Sequence, residues 1–484
     1  MKKKITQLLA VFMLFGTVVS AQSHNLDLVG SLTFDNSLSD VWGFEDKTGK
    51  EYALVGVYDG FSIVDVSTPS NPIEIQFIDG PESIWRDIKV WKGYAYVTDE
   101  TSDGLLVVNL NGLPEDGGAL PAKNFTDGDS LVTAHNIYID ENGYAYLFGA
   151  NLDNGGASIY DVDTDPWNPI RVGAFDEYYL HDGFVRGDTM YGGAVYGGFF
   201  NIVDVSDKAN PVVLATQETS FNFTHNIWPS DDGKTVFTTD EKGSAFIGAY
   251  DISDLENIKL LDEYQSSPGW QVIPHNAHVL GDYLVSSYYR DGLIVHDISR
   301  PQNMVEIGRM DNNTINGNGF NGSWGAYPFL KSGLLLNTDI ERGLEVIEPT
   351  YVKPAYFEGV VVDASNNQVL AGVNISISGL TGANTRTKAD GSFATGTAKF
   401  DTYTVTFTKA GYSMKTEVMD FNEDSLRIDT IKLSPPVSIS ENDLGVTSIY
   451  PNPAKVQFKL DYQLNRLNDQ TKLYVYNMLG VAVY

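Results

Sequence analysis

Four of the seven histidines in this chain, His135, His181, His225 and His275, are each followed by a polar residue and then a short apolar run. The following residues are Asn136, Asp182, Asn226 and Asn276. Three further places have the same look with other residues, namely Ser39-Asp40, Arg86-Asp87 and Ser323-Trp324. Acidic pairs recur some way downstream, at Asp99-Glu100, Asp240-Glu241 and Asp339 with Glu341. Imidazole nitrogens and carboxylates brought together suit zinc or another transition ion, and carboxylates alone suit Ca²⁺. A bound ion could then activate water for hydrolysis. The competing expectation is structural: a polar residue copied with a repeat can serve only to satisfy the backbone of its neighbour. Because one zinc needs its ligands about 2 Å away, neighbouring pairs such as His135 with His181, or His225 with His275, are the best placed.

What would position these residues is a repeat. An apolar-Asp-apolar core appears at Val64-Asp65-Val66 and returns, altered, around Asn109, Asp161, Asp204, Asp251, Asp297 and Glu348. A period of about 45 residues marks an array in which each unit buries its apolar face only against the next. Each copy reads as four short strands, as in Asp87–Trp91, Tyr94–Val97 and, after Asp103-Gly104, Leu105–Val108. Pairs such as Asp59-Gly60, Gly197-Gly198 and Asp291-Gly292 supply the tight turn before the third strand. Asn-Pro corners at Asn71, Asn168 and Asn210 open the fourth strand.

The expected fold is therefore all-β, a seven-bladed β-propeller over 22–353. The seventh copy lacks a fourth strand, and Leu26–Phe34 reads like the missing one, which would close the ring. In such a ring the histidines line the mouth of the central channel. The expected binding residues there are Arg86, Asp40, Asp87, Asp99, Glu100, Asp240, Glu241 and Trp324, with His135, His181, His225 and His275 as metal ligands.

Ser39-Asp-Val-Trp-Gly-Phe, Glu51-Tyr-Ala-Leu-Val-Gly, Trp85-Arg-Asp-Ile-Lys and the repeated apolar-apolar-Val-Asp resemble the choice-of-anchor B family, whose units are LVIVD repeats. The resemblance covers about Leu26 to Thr350. It implies a propeller on exported bacterial proteins with interchangeable C-terminal anchors, and it brings no settled activity.

From Phe357 the period changes to strict alternation with turn residues about every ten positions, which predicts a small antiparallel sandwich. The Asp390-Gly391-Ser-Phe turn and the Lys409-Ala-Gly-Tyr end resemble the carboxypeptidase regulatory-like domain, taken as 354–434, which implies a non-catalytic spacer or binding module. After a linker at 435–447, Tyr450-Pro-Asn-Pro and Tyr476-Asn-Met-Leu-Gly480 resemble the type IX secretion sorting domain, a partial β-sandwich over 448–484. That family runs on for further strands, so this copy is expected to be incomplete. The resemblance implies recognition by the type IX secretion machinery, hence a secreted or surface-attached protein of a Gram-negative bacterium.

The N-terminus fits export. Lys2-Lys3-Lys4, the apolar Leu8–Val19 and the small Val19-Ser20-Ala21 make a signal peptide over 1–21. No later stretch is apolar enough to span a bilayer as a helix. A net charge of -31 disfavours nucleic acid and favours cations and cationic partners. The expected partner is an extracellular protein or glycan ligand. Absence of cysteine removes disulfides and thiolate chemistry. No Gly-x-Ser-x-Gly elbow supports serine hydrolysis. Asp161-Val-Asp163-Thr-Asp165 lacks the later Gly and Glu of a calcium loop and fits Asx turns better.

Overall fold

A computed structural model describes residues 23–114, 118–311, 319–436, 444–450 and 459–464. The expected signal peptide at 1–21, most of the linker and most of the sorting segment, including Tyr476–Gly480, lie outside the described residues. Within them the regular structure is β-strand, with two short 3₁₀ turns at Leu110–Gly112 and Asp153–Gly155. No described helix is long and apolar enough to cross a membrane.

Seven four-stranded antiparallel sheets follow one another in sequence order and form the propeller blades. Their innermost strands are Leu38–Glu45, Ile88–Trp91, Asn136–Ile139, Gly183–Arg186, Thr224–Pro229, Ala277–Leu280 and Ser323–Tyr327. Leu26–Leu32 is the outer strand of blade seven, pairing with Gly343–Pro349 in the register Leu26↔Pro349 to Leu32↔Leu344. The chain thereby fastens its beginning to its last blade and covers the edge that Gly343–Pro349 would otherwise expose.

The repeat is visible in the details. The third and fourth strands carry a bulge at the same place in blades one, three, four, five and six, for instance between Ile63 and Val64 and between Ile202 and Val203. Gly292 and Gly343 open third strands at φ of 81° and 109°, and a Cβ there would meet Met310 O at 1.9 Å and Leu32 O at 2.2 Å. Only glycine fits both the conformation and the space.

The apolar core lies between blades. One cluster joins Leu54, Phe61 and Ile63 of blade one to Ile88, Val97 and Val108 of blade two, and another joins Leu336 and Val346 of blade seven to Val41 and Val55 of blade one. Each fully buried Phe or Leu in such a seam contributes about 1.5–3 kcal/mol, so a blade alone would leave one face wet.

Beyond the propeller is a two-sheet sandwich. Ser392–Thr397, Ala355–Asp363 and Leu426–Leu433 form one sheet, and Leu380–Arg386, Asn374–Ile377, Asp401–Thr408 and Lys415–Phe421 form the other. It is not wholly antiparallel as expected, because Ala355–Asp363 pairs in parallel with Leu426–Leu433. The last strand returns to the first sheet after the other has been laid down, and so arrives running the same way as the first. Leu444–Tyr450 and Lys459–Leu464 make a separate antiparallel pair.

Candidate metal and ligand site at the channel mouth

Each inner strand begins at the mouth of the central channel. The pairing register shows which residue of each blade reaches the ring. Thr224 and Asn226 of blade five pair with Asp240 and Thr239, while Ser323 and Gly325 of blade seven pair with Asp339 and Thr338. Blade seven is thus offset by one from the sequence alignment, and Trp324 rather than Ser323 is the counterpart of His225. The ring position holds Ser39, Arg86, His135, His181, His225, His275 and Trp324. Gly325 stands where the other blades have Asp or Asn, and a Cβ there would meet Asp40 Oδ1 at 2.7 Å.

Much of the interblade fastening is made by atoms other than the imidazoles. Thr98 Oγ1 donates to His135 O at 3.0 Å, Thr239 Oγ1 to His275 O, Ser287 Oγ to Trp324 O at 2.6 Å and Thr338 Oγ1 to Ser39 O at 2.6 Å. The residue after the ring position adds a second link. Asp87 Oδ2 accepts Ile137 N at 3.0 Å, and Asn226 Oδ1 accepts Ala277 N at 3.2 Å. Hydroxyls and the side-chain oxygens of Asp or Asn copied with the repeat therefore satisfy most of this backbone, and the His275 ring adds a bond to Trp324 O.

The four rings stack in a row along the mouth, with centroids 3.8 Å apart from His135 to His181, 4.2 Å to His225 and 4.7 Å to His275. Trp324 continues the row at 4.9 Å. Their nitrogens have four different surroundings. His135 Nδ1 meets Glu100 Oε1 at 2.6 Å, His181 Nδ1 meets Asp182 Oδ1 at 2.9 Å, and His275 Nδ1 donates to Trp324 O at 2.6 Å. His225, 2% exposed, has no hydrogen-bond partner at Nδ1. Ligand atoms of His135, His181, Asp182 and His225 all lie within 4.8 Å of one another, as do those of His225, Glu241 and His275. Three consecutive blades converge, more than the paired histidines expected.

Burial lowers His181 and His225 to about 4 and His275 to about 3, helped for His181 and His275 by the neighbouring imidazoles. Burial also opposes charge on His135, but the bonded Glu100 outweighs it and holds that ring above its ordinary value. Burial pushes Asp182 up, yet His225, His181 and His135 around it hold it well below the carboxylate range. Asp40 is raised by burial and by the charge of Asp87. At neutral pH the row is thus largely of neutral imidazoles around one carboxylate, the state in which histidine binds metal.

The expected ligand-binding residues divide. Glu241 faces the row, 3.7 Å from His225 Nε2 and 3.9 Å from His275 Nε2, and accepts Tyr289 Oη at 2.6 Å. Asp40, Asp87 and Trp324 line the mouth with the histidines, and Glu100 enters it through His135. Asp240 does not join them. Its oxygens accept Thr219 Oγ1, Phe221 N and Phe223 N at 2.6–3.0 Å and fold the preceding loop. Arg86 is 4% exposed and donates to Val57 O and Pro81 O while pairing with Asp99 at 2.8 Å. Asp99 also holds Thr101 N and Ser102 N, so this pair pins the blade-one to blade-two junction. Beside it a cleft of about 420 Å³ opens between the two blades. The Asp161–Asp165 stretch forms Asx turns, with Asp161 accepting Asp163 N and Thr164 N and Asp165 accepting Trp167 N.

Three groups escaped the sequence reading. Asp182 is the common neighbour of three imidazoles, and its signal was only its place after a ring histidine. Two residues beyond the Asp or Asn that follows the ring position come, in blades one to six, Trp42, Lys89, Tyr138, Phe184, Trp228 and His278, and with Phe329 they crowd the channel beneath the mouth. Ring contacts cross it from Trp42 to His278 at 6.5 Å and from Trp228 to Phe329 at 5.8 Å, and Lys89 Nζ sits 4.2 Å over Trp42. A period of two from that Asp or Asn would have found them. Above the mouth stand exposed aromatics, Trp85 at 39%, Trp270 at 48%, Phe320 at 56% and Tyr196 at 77%. Tyr196 reaches His181 through Tyr179, at 4.8 and 6.3 Å, and Phe320 reaches His275 through Tyr289, at 5.3 and 4.9 Å.

The chain matches the LVIVD repeat at 49–79, 85–109, 191–219 and 275–312, stretches that fall in blades one, two, four and six. It matches the CarboxypepD_reg-like domain at 357–442. No curated protein matches it. Among solved structures it is similar to the Cps50 (Swd1) β-propeller domain of Myceliophteria thermophila, at 12% identity and a TM-score of 0.48 over 66% of this chain and 99% of that one. It is similar in the same degree to a streptogramin B lyase, at 12% identity and a TM-score of 0.48 over 67% of this chain and 97% of that one. The chain is a β-propeller of LVIVD repeats followed by a carboxypeptidase regulatory-like domain.

Proposed function

We propose that this is a secreted or surface-attached binding protein of the choice-of-anchor B kind, exported by the type IX secretion machinery, whose propeller mouth holds an extracellular glycan or protein. The observation that carries the reading is a set of exposed aromatics on the mouth face, with Trp85 lining the polar mouth itself, Tyr196 and Phe320 linked to its histidines through Tyr179 and Tyr289, and Trp270 on the loop that leads to His275. Aromatic faces left in water beside hydrogen-bonding groups are costly unless a partner covers them, and such residues dominate binding surfaces. The export half rests on the basic and apolar leader and on Tyr450-Pro-Asn-Pro. Surface polysaccharides and outer-membrane proteins of the native host, presented to immobilised chain, should bind, and a Trp85→Ala/Trp270→Ala variant should bind at least about 10-fold more weakly. Equal binding by the variant would reject these aromatics as the site.

The second reading is a metal-dependent hydrolase at the same mouth, favoured by His135, His181 and His225 gathered around Asp182. It predicts chelator-sensitive cleavage of simple ester or phosphoester substrates, and the binding reading predicts none.

A further inference from the structure

We propose that His135, His181, Asp182 and His225 bind one late first-row divalent transition ion, of which Zn²⁺ is the type, at the channel mouth. The inference rests on the reading of that mouth as the functional site and adds what the site contains.

The fold does not need imidazole at the ring position. Ser39, Arg86 and Trp324 occupy it in the other blades, and at four junctions a Ser or Thr hydroxyl bonds the ring residue's carbonyl, with the His275 ring adding a second bond only at Trp324 O. Histidine in four successive blades is thus a choice beyond the repeat. Buried polar atoms are ordinarily partnered, yet His225 Nδ1 is not, and it lies 3.8 Å from Asp182 Oδ2. An ion between them would give His225 Nδ1 its partner.

The outer groups are arranged as metal sites arrange them. Glu100 engages His135 Nδ1 at 2.6 Å, which leaves Nε2 directed at Asp182 Oδ1, 3.9 Å away. A carboxylate behind a ligating histidine fixes its tautomer and orientation in this way. Asp182 is itself held from behind by Asn226 Nδ2 at 3.0 Å. The four donor atoms, within 4.8 Å of one another, would draw in by about 1 Å around a tetrahedral ion, whose ligand atoms sit roughly 3.4 Å apart.

The donor set decides the ion. Three imidazole nitrogens and one carboxylate suit zinc, copper or nickel, whereas Ca²⁺ takes about six to eight oxygens and would find one residue to offer them. A second group, His225, Glu241 and His275, shares His225 and supplies only three residues, so the first is the fuller site.

The test uses the tag-free chain, dialysed against chelator and then titrated with Zn²⁺ by calorimetry. One equivalent should bind, Co²⁺ in its place should give the visible absorption of a tetrahedral nitrogen–oxygen site, and excess Ca²⁺ should displace neither. His181→Gln should weaken Zn²⁺ binding at least about 100-fold. His24→Gln, remote from the mouth, should leave it unchanged. Asp182→Asn, which keeps a group beside Asn226, serves as the second variant should His181→Gln fold poorly. Zn²⁺ uptake equal in wild type, His181→Gln and Asp182→Asn would overturn the site. So would a wild-type chain that takes up no Zn²⁺ while still capturing its extracellular ligand through Trp85 and Trp270, an outcome that leaves the binding reading standing.

Discussion

Glu100 Oε1 lies 2.6 Å from His135 Nδ1, joining the hairpin of blade two to the first strand of blade three across the mouth. The pair holds Glu100 below and His135 above their ordinary values, against burial of both. The carboxylate's share of stability is present above its ordinary 4.5 and is lost as pH falls through its depressed value. The imidazole's share is present below its ordinary 6.5 and is lost as pH rises through its elevated value. Both shares coincide at about pH 5–6.5. In metal-free protein Glu100→Gln should therefore lower stability by about 1 kcal/mol in that window and by less at pH 9, read from urea midpoints across pH. A constant difference at all pH values would show the pair to be electrostatically idle.

Asp262, on the outer strand of blade five, is raised to about 7 by burial although it accepts Met304 N at 2.7 Å. A raised carboxyl favours the fold below its ordinary 3.8, and that contribution is lost as pH rises through about 7. Asp262→Asn keeps an oxygen for Met304 and removes the titration. The variant should match wild type near pH 4 and exceed it by roughly 1–3 kcal/mol at pH 8, again by denaturant unfolding.

Arg300 of blade six meets Glu358 of the sandwich through two 2.8 Å bonds, and Asn303 bridges Glu358 and Thr395 O at 3.1 Å each. Tyr356 adds a 2.6 Å bond to Asp297. Truncation of one partner in such a half-buried pair leaves the other charge without its counterion. Arg300→Ala should cost about 2 kcal/mol of docking and split the calorimetric unfolding trace into separate propeller and sandwich transitions. A single unshifted transition would mean that the interface adds nothing to either part.

Deletion of residues 23–33 should be far more damaging than its length suggests. Leu26–Leu32 supplies the whole outer strand of blade seven, and without it Gly343–Pro349 becomes an open edge. The shortened chain should aggregate or lose its cooperative transition, and a synthetic peptide of Leu26–Phe34 should restore part of it, both visible by light scattering during refolding.

The blade count and the closing strand could be read from the chain because a repeat writes the same local instructions seven times, in the Gly turns and the apolar-Asp-apolar third strands. Four ring histidines were legible for the same reason. The fate of the carboxylates was not, since Asp99 and Asp240, each one residue before Glu100 and Glu241, turn inward to accept hydrogen bonds from their own loops, a local choice at the end of a hairpin strand that the acidic pair does not announce. Blade seven misled by one residue because Trp324 and Gly325 replace its polar pair, so that Ser323 takes the look of a ring residue although it pairs with Asp339 as Thr224 pairs with Asp240. The parallel pair in the sandwich was hidden too, because alternation fixes which face a residue takes and is silent on the direction of its neighbour.

The rings of Trp42, Tyr138, Phe184, Trp228, His278 and Phe329 pack against one another across the axis of the propeller. On the proposed binding reading, such a plug would make one opening both the way in and the way out, so that a guest seated deepest, against the histidines, would leave only after anything that followed it in.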